Sequence, residues 1–345
     1  MKRRLILIGC GVVGQGFLRI LVDKEEVLRD KYGFEPVLVG VSDMLKGSIM
    51  KQEGLDIPSF LAHVEEGGKI DEFPTEGGVT GLSSVETIRE AEADIMVEVT
   101  YTDIETGEPA ATHMFEAFMS RMSVATTNKG PVTLQFEELR KLARENNVQF
   151  RFEGVVLSGT PVFNLLEYCL AGNDIIEVKG ILNGTTNFML MKMEEEGMFY
   201  RDALALAQEL GYAEADPTAD VEGFDALAKI LMLSNLVLGG DLKPRDVERV
   251  GISGISTSDV QMAKSEGKRY KLIGHARKVG RRVIASVKPV KLPLSDPLAG
   301  VNGTANALTF KTDLSGEITI QGAGAGKIET GFAVLIDVLN IHREM

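Results

Sequence analysis

The first apolar run of the chain, Leu5-Ile-Leu-Ile8, is short and continuous, as expected of a strand buried on both faces of a parallel sheet. It leads straight into Gly9-Cys-Gly11-Val-Val-Gly14. Beyond that loop Val13, Phe17, Leu21 and Leu28 recur at helical spacing with charges between them. Residues 37–41 predict a second buried strand, closing on Ser42-Asp43. The runs 95–99 and 124–127 repeat the pattern, apolar residues ending in small polar ones, and helices are predicted over 109–121 and 132–146. Strands alternating with helices in this way predict an α/β fold with a doubly wound parallel sheet.

The texture changes after about residue 150. Residues 148–157 predict a long strand, 161–170 a helix and 175–182 another strand; helices dominate 188–238. Between 282 and 320, shorter strands alternate with Gly, Pro and Asn turns. These features predict a mixed α+β second domain. The tail, Gly322-Ala-Gly-Ala-Gly326 followed by an apolar helix over 330–339, reads as a second glycine loop that returns to the first domain. The expected division is therefore a Rossmann-type dinucleotide-binding domain over 1–150, completed by 321–345. A substrate-binding, catalytic and dimerisation domain covers 151–320.

A length of 345 residues suits two domains with sizeable cores. A net charge of -13 argues against a nucleic-acid partner, which would call for clustered Lys and Arg. The local basic stretch 268–282 reads as a solvated helix or hairpin face. No apolar run approaches the roughly 20 residues that a membrane helix needs. The apolar core after Met1-Lys-Arg-Arg is too short for a signal peptide and is interrupted by glycine. A soluble cytoplasmic protein is expected. Cys10 and Cys169 are too few for a zinc site and read as buried thiols in a reducing compartment. There is no GxSxG elbow, and His63, His113, His275 and His342 fall in no triad or HExxH context, so hydrolase chemistry is disfavoured.

The glycine loop has a strand before it and a helix after it, the context that gives a GxGxxG pattern meaning. Gly9 permits the tight turn, Gly11 lets backbone approach a pyrophosphate, and Gly14 lets the helix pack on the strand. The helix N-terminus offers unpaired N–H groups and positive dipole. NAD or NADP is the implied cofactor, with Val12, Val13, Thr100 and Lys129, the last beside the nicotinamide, as further contacts. Asp43 is the candidate ribose ligand and favours NAD, whereas Ser42 and Lys46 could accommodate a 2′-phosphate; the preference stays open.

Two clusters carry candidate chemistry. In Thr126-Thr127-Asn128-Lys129-Gly130-Pro131 a lysine stands where a strand ends and a helix begins, the ligand edge of an open α/β sheet, although positive charge is disfavoured there by the helix dipole. In the segment 211–229 the acidic residues Glu214, Asp216 and Asp220 lie in a Pro-containing loop. Asp225 and Lys229 follow, four apart on one face of a very apolar helix. A charged pair there is costly unless it is paired or used.

The order GxGxxG, TTNKGP, NGTTNF at 183–188, then GYAEADPTAD and EGFDALAK, with GAGAGKIET near the end, resembles homoserine dehydrogenase across nearly the whole chain. The resemblance implies reversible, NAD(P)-dependent interconversion of L-homoserine and L-aspartate 4-semialdehyde. It implies Lys129 and Lys229 beside the reacting oxygen, with Lys229 moving the proton and Asp225 orienting it. Glu214, Asp220 and backbone from Asn183-Gly184-Thr185 would hold the substrate, and Gly324 and Gly326 would help hold the cofactor. Hydride delivery to an aldehyde builds negative charge on its oxygen, which a buried ammonium stabilises. The resemblance also implies a structural Na+ or K+ near Glu153, Val156 and Ser158, a homodimer, and, since the sequence ends shortly after the second glycine loop, no threonine-sensing extension. The competing expectations are another amino-acid or semialdehyde dehydrogenase on the same fold and a non-catalytic dinucleotide sensor.

Overall fold

In the computed structural model, which describes residues 1–345, the chain forms two compact units, Met1–Phe163 with Gly326–Met345, and Asn164–Ala325. The first contains β1 (Lys2–Ile8), α1 (Val12–Asp23), α2 (Glu25–Tyr32), β2 (Glu35–Asp43), β3 (Gly47–Met50), α3 (Ile57–Glu65), β4 (Val79–Thr80) and α4 (Ser84–Glu90). It continues with β5 (Ile95–Glu98), α5 (Ala110–Met119), β6 (Ser123–Thr126), α6 (Lys129–Leu134), α7 (Phe136–Glu145), β7 (Phe150–Arg151) and α8 (Gly154–Leu157), and closes with the C-terminal helix Lys327–Glu344.

The sheet order is β4-β3-β2-β1-β5-β6-β7. The strands from β2 to β7 run parallel, and β1 alternates its side chains between two cores. Leu5 and Leu7 join Phe17, Leu21 and Val338 on one face; Ile6 joins Met114 and Phe118 on the other. Each such side chain, fully buried, contributes about 1.5–3 kcal/mol, and helices on both faces make the sheet doubly wound. The departure from an all-parallel sheet is at the edge, where β3 pairs antiparallel with β2 and β4 antiparallel with β3. Its cause is local. The Asp43 carboxylate accepts from the backbone N–H groups of Leu45 and Lys46, closing a tight turn that reverses the chain.

The second unit contains β8 (Ile175–Ile181), α9 (Gly184–Glu195), α10 (Tyr200–Glu209), α11 (Thr218–Val221), α12 (Phe224–Leu236), β9 (Glu248–Arg249), α13 (Thr257–Ser265), β10 (Lys268–Val279), β11 (Arg282–Pro293), β12 (Ala305–Thr312) and β13 (Glu317–Ala323). Its sheet order is β13-β12-β8-β10-β11-β9, antiparallel except where β9 meets β11. The basic stretch is the hairpin β10–β11, and its strands are 12 residues each rather than short.

Several expectations are corrected. The long strand over 148–157 is only β7, followed by the helical turn α8. The Glu153 backbone N–H donates to Asp337 and its carboxylate accepts from Val162 and Phe163 N–H, so the chain is turned before a strand can extend. The same bonds carry residues 151–163 into the first unit, and β13 carries 321–325 into the second. Gly322 and Ala323 are therefore strand rather than loop. The helix expected over 132–146 is two, α6 and α7, broken at Gln135, and the one expected to reach Leu28 breaks at Lys24. The segment 161–170 yields only a widened turn, Leu165–Cys169, with no buried residue, so Cys169 is exposed whereas Cys10 is buried. No helix is long and apolar enough to cross a membrane.

Candidate active site

In the first unit the strand order reverses at β1, which sits between β2 and β5, and ligands bind outside the carboxyl ends of strands at such a point. A cavity of about 830 Å³ lies there, and among its lining residues are Gly9, Gly11, Asp43, Ser84, Thr100 and His113. Gly9 has φ +97°, and a Cβ on it would meet the Val99 carbonyl oxygen at 2.6 Å, so β1 and β5 end in backbone contact. A Cβ on Gly14 would lie 2.4 Å from the Gly9 oxygen, which is how closely α1 returns to its strand. On Gly11 a Cβ would meet nothing within 4 Å, because its Cα faces open cavity. Val12, exposed, opens α1, while Val13 packs against the core.

Asp43 works inside the loop as well as beside the cavity. Its carboxylate accepts from the Cys10 N–H at 2.8 Å, and Lys46 Nζ donates to the Cys10 carbonyl at 2.7 Å, pinning the glycine loop to the β2–β3 turn. Burial pushes the Cys10 thiol up to about 12, so it is inert at neutral pH. The cavity, the open space at Gly11 and the carboxylate at the end of β2 fit a nicotinamide dinucleotide.

At the ends of β5 and β6 the fully buried Glu98 accepts from the Thr100 N–H and hydroxyl and from the Thr126 hydroxyl, with His113 Nδ1 3.6 Å away. Asn128 caps α6 by accepting from the Gly130 N–H, and its amide donates to the Tyr101 carbonyl at 3.0 Å. Lys129 is thus the first residue of a helix whose entry is tied to the neighbouring strand. The sequence identified Lys129 but not Glu98, which falls inside the otherwise apolar run 95–99.

In the second unit Lys229, only 6% exposed, donates to the Leu182 carbonyl at 2.7 Å and to Asp225 Oδ2 at 2.8 Å. Asn183 caps α9 by accepting from Thr186 N–H, and its amide donates to Asp220 at 2.7 Å and to Asp225 at 3.1 Å. Asn183, Asp220, Asp225 and Lys229 therefore form one network, with Asn183 entering through its side chain and not only through backbone. Thr185 donates to the Tyr212 carbonyl. Glu214 is exposed on the loop below and does not join this network. Of the two late glycines, Gly324 abuts Asn306 in the second unit, and Gly326, φ +144°, opens the C-terminal helix of the first.

Burial raises the Asp220 carboxyl above its ordinary 3.8, opposed by its hydrogen bonds to Asn183 and Thr185 and by Lys229, and reinforced by Asp225. A raised folded value means that the ionised form costs stability at neutral pH and that this cost vanishes as pH falls below 3.8. Asp220→Asn is therefore expected to raise the thermal midpoint at pH 7 while weakening binding of a ligand that presents an ammonium group to it. A midpoint that falls at pH 7, with acid protection unchanged, would contradict that sign.

Around the expected cation position, Val156 is buried in α8. Ser158, at φ +52°, hydrogen-bonds the Thr330 hydroxyl at 2.7 Å. No group of three or more His, Cys, Asp or Glu is arranged to hold a metal ion.

Residues 9–153 match the family model described as homoserine dehydrogenase, NAD binding domain, and residues 161–339 match that of homoserine dehydrogenase. The chain is 41% identical to a homoserine dehydrogenase of Methanocaldococcus jannaschii, over 98% of each. It is also 41% identical to an NAD(+)-dependent homoserine dehydrogenase of Pseudomonas canavaninivorans, over 99% of this chain and 96% of that one. Among solved structures, a hyperthermophilic archaeal homoserine dehydrogenase mutant in complex with NADPH superposes with a TM-score of 0.84 at 29% identity, covering all of this chain and 99% of its own. A cavity at a topological switch point and a buried lysine–carboxylate network accord with the family matches across both units, and those matches establish that this chain belongs to the homoserine dehydrogenase family.

Proposed function

We propose that, in the family's interconversion of L-homoserine and L-aspartate 4-semialdehyde, Lys229 moves the proton at the reacting oxygen. The observation that carries this is the environment of its ammonium. It is buried, with two of its three N–H groups committed to Leu182 and Asp225, which leaves one for a ligand. In the reductive direction an N–H of the Lys229 ammonium gives its proton to the aldehyde oxygen as hydride reaches the carbon; in the oxidative direction the amine so formed takes the hydroxyl proton back. Asp225 holds Nζ in place, and itself is held by Asn183. Bound in the cavity of the first unit, a nicotinamide dinucleotide supplies the hydride chemistry. Gly9, Gly11, Val12, Val13, Gly14, Asp43 and Thr100 hold it, with Gly324 and Gly326 assigned to it by resemblance.

Lys129 is assigned a share in stabilising negative charge on the same oxygen. Glu214 and Asp220 suit the substrate's α-ammonium, and the Asn183–Thr185 backbone its remaining polar groups. A homodimer working in the cytoplasm comes with the same resemblance. The test is a steady-state assay with L-homoserine, run separately with NAD and NADP, on the wild type and on Lys129 and Lys229 variants. Turnover of another amino alcohol or semialdehyde in preference to L-homoserine would defeat the reading. With Asp43 at the end of β2 and lining the cavity, NAD is the expected better cofactor.

A structural Na+ or K+ at Glu153, Val156 and Ser158 belongs to the same proposal, held by backbone carbonyls of the turn after β7. At ten times its dissociation constant the ion would add about 1.4 kcal/mol to stability. Thermal midpoints in NaCl or KCl should then exceed that in choline chloride at equal ionic strength; equal midpoints would dispose of the site.

A further inference from the structure

The second unit buries another lysine that the reaction does not use. Lys271, on β10, is 2% exposed and lies beside the apolar cluster of Ile181, Leu298 and Val301. Its Nζ donates to Asn187 Oδ1 at 2.8 Å and to the Val301 carbonyl. Asn187, one turn into α9, reaches with its amide the carbonyls of Val301, Gly303 and Ala305 at 3.2, 3.0 and 3.2 Å. Two side chains thus hold the carbonyls of Val301, Gly303 and Ala305 along the segment that leads into β12. Gly303 N–H adds a contact to Met191 Sδ on α9.

That loop is the floor under the start of α9. A Cβ on Gly184 would stand 2.5 Å from the Thr304 carbonyl oxygen, so the loop lies directly against the turn whose Asn183 holds Asp220 and Asp225. A buried ammonium without a carboxylate partner is costly, and the nearby Glu194 is itself paired with Arg269. An apolar residue in its place would be the more stable choice unless the loop needs to be held.

We propose that Lys271 and Asn187 form a buried clamp that fixes the 301–305 loop beneath Asn183–Thr185 and so positions the amino-acid side of the active site. Lys271 is then a positioning residue for L-homoserine and is indifferent to the dinucleotide, which the other unit binds. The inference rests on the functional reading above.

Burial pushes the Lys271 ammonium down from 10.5 to about 8, opposed by Glu194 and Glu195 of α9 and reinforced by Arg269 on its own strand. A folded value below the unfolded one means that the charged form costs stability at neutral pH. That cost is relieved as pH rises from about 8 toward 10.5. The wild type should therefore gain thermal stability relative to Lys271→Met across that window.

The test compares wild type, Lys271→Met and Asn187→Asp in steady-state kinetics. Asn187→Asp keeps Lys271 partnered, now by a carboxylate, while removing the amide that holds the loop, so it stays informative if Lys271→Met fails to fold. In both variants KM for L-homoserine should rise about tenfold while KM for the dinucleotide stays within about twofold. Unchanged homoserine KM in Asn187→Asp, or equal rises in both constants, overturns the clamp. Absence of homoserine turnover in the wild type would overturn the functional reading instead, so the two failures are distinct.

Discussion

Lys229→Met is expected to lower kcat with L-homoserine by about 10³-fold, within the range that a positioned proton-transfer group supplies. The loss corresponds to about 4 kcal/mol of transition-state stabilisation. Methionine preserves the length and apolar body of the lysine in a helix whose surroundings are Ala226, Ile230 and Leu233, so packing is nearly maintained. What disappears is the N–H available to a ligand and the cation that Asp225 faces at 2.8 Å. Dinucleotide affinity, read from the fluorescence change of the reduced cofactor on binding, should be unaffected, since its cavity belongs to the other unit. This combination also separates an enzyme from a dinucleotide sensor, which would have no need of Lys229. A kcat within about threefold of wild type would remove Lys229 from the proton path.

Gly9→Ala should all but abolish dinucleotide binding. The residue needs φ +97°, which alanine adopts only at a cost of about 1–3 kcal/mol. Its new methyl would also stand 2.6 Å from the Val99 oxygen and 2.8 Å from the Thr100 nitrogen, backbone atoms with no rotamer to yield. Overpacking of this kind costs roughly another 1–3 kcal/mol. The strain is relieved by parting the ends of β1 and β5, which are the walls of the cavity. An affinity loss of about 100-fold or more is expected, with a lowered thermal midpoint. Gly11→Ala is the internal control: its methyl enters open space, so stability should hold while the cavity is encroached upon. Wild-type affinity in Gly9→Ala would show that the contact between the strand ends is dispensable.

Local rules made much of the first unit legible. A continuous apolar strand, a glycine turn and an amphipathic helix are each specified by neighbours within a few residues, and β1, β2, β5, β6 and α1 occur where that pattern put them. The reading failed where distant partners decide the backbone. Residues 148–157 are apolar enough for a strand, but Asp337, nearly two hundred residues on, captures the Glu153 N–H and turns the chain. The hairpin after β2 was missed for the opposite reason. Its signal, Asp43 closing on Leu45 and Lys46, is local, but an Asp at a strand end in this sequence equally fits a ribose ligand.

Sequence alone determined the fold class, the glycine loop and the pairing of Asp225 with Lys229, because each depends on periodicity, spacing or an i,i+4 relation along one helix, while the order of its motifs carried the family resemblance. Tertiary structure decided that Asn183 joins Asp220 to Asp225, that Glu98 ties two strand ends together, and that Lys271 is buried and bonded to Asn187 of α9. The physical reason is that desolvation and hydrogen-bond satisfaction belong to a place in the fold, assembled from segments far apart in sequence. Lys271 and Lys268 are alike on the page; only packing shows that one ammonium was taken out of water.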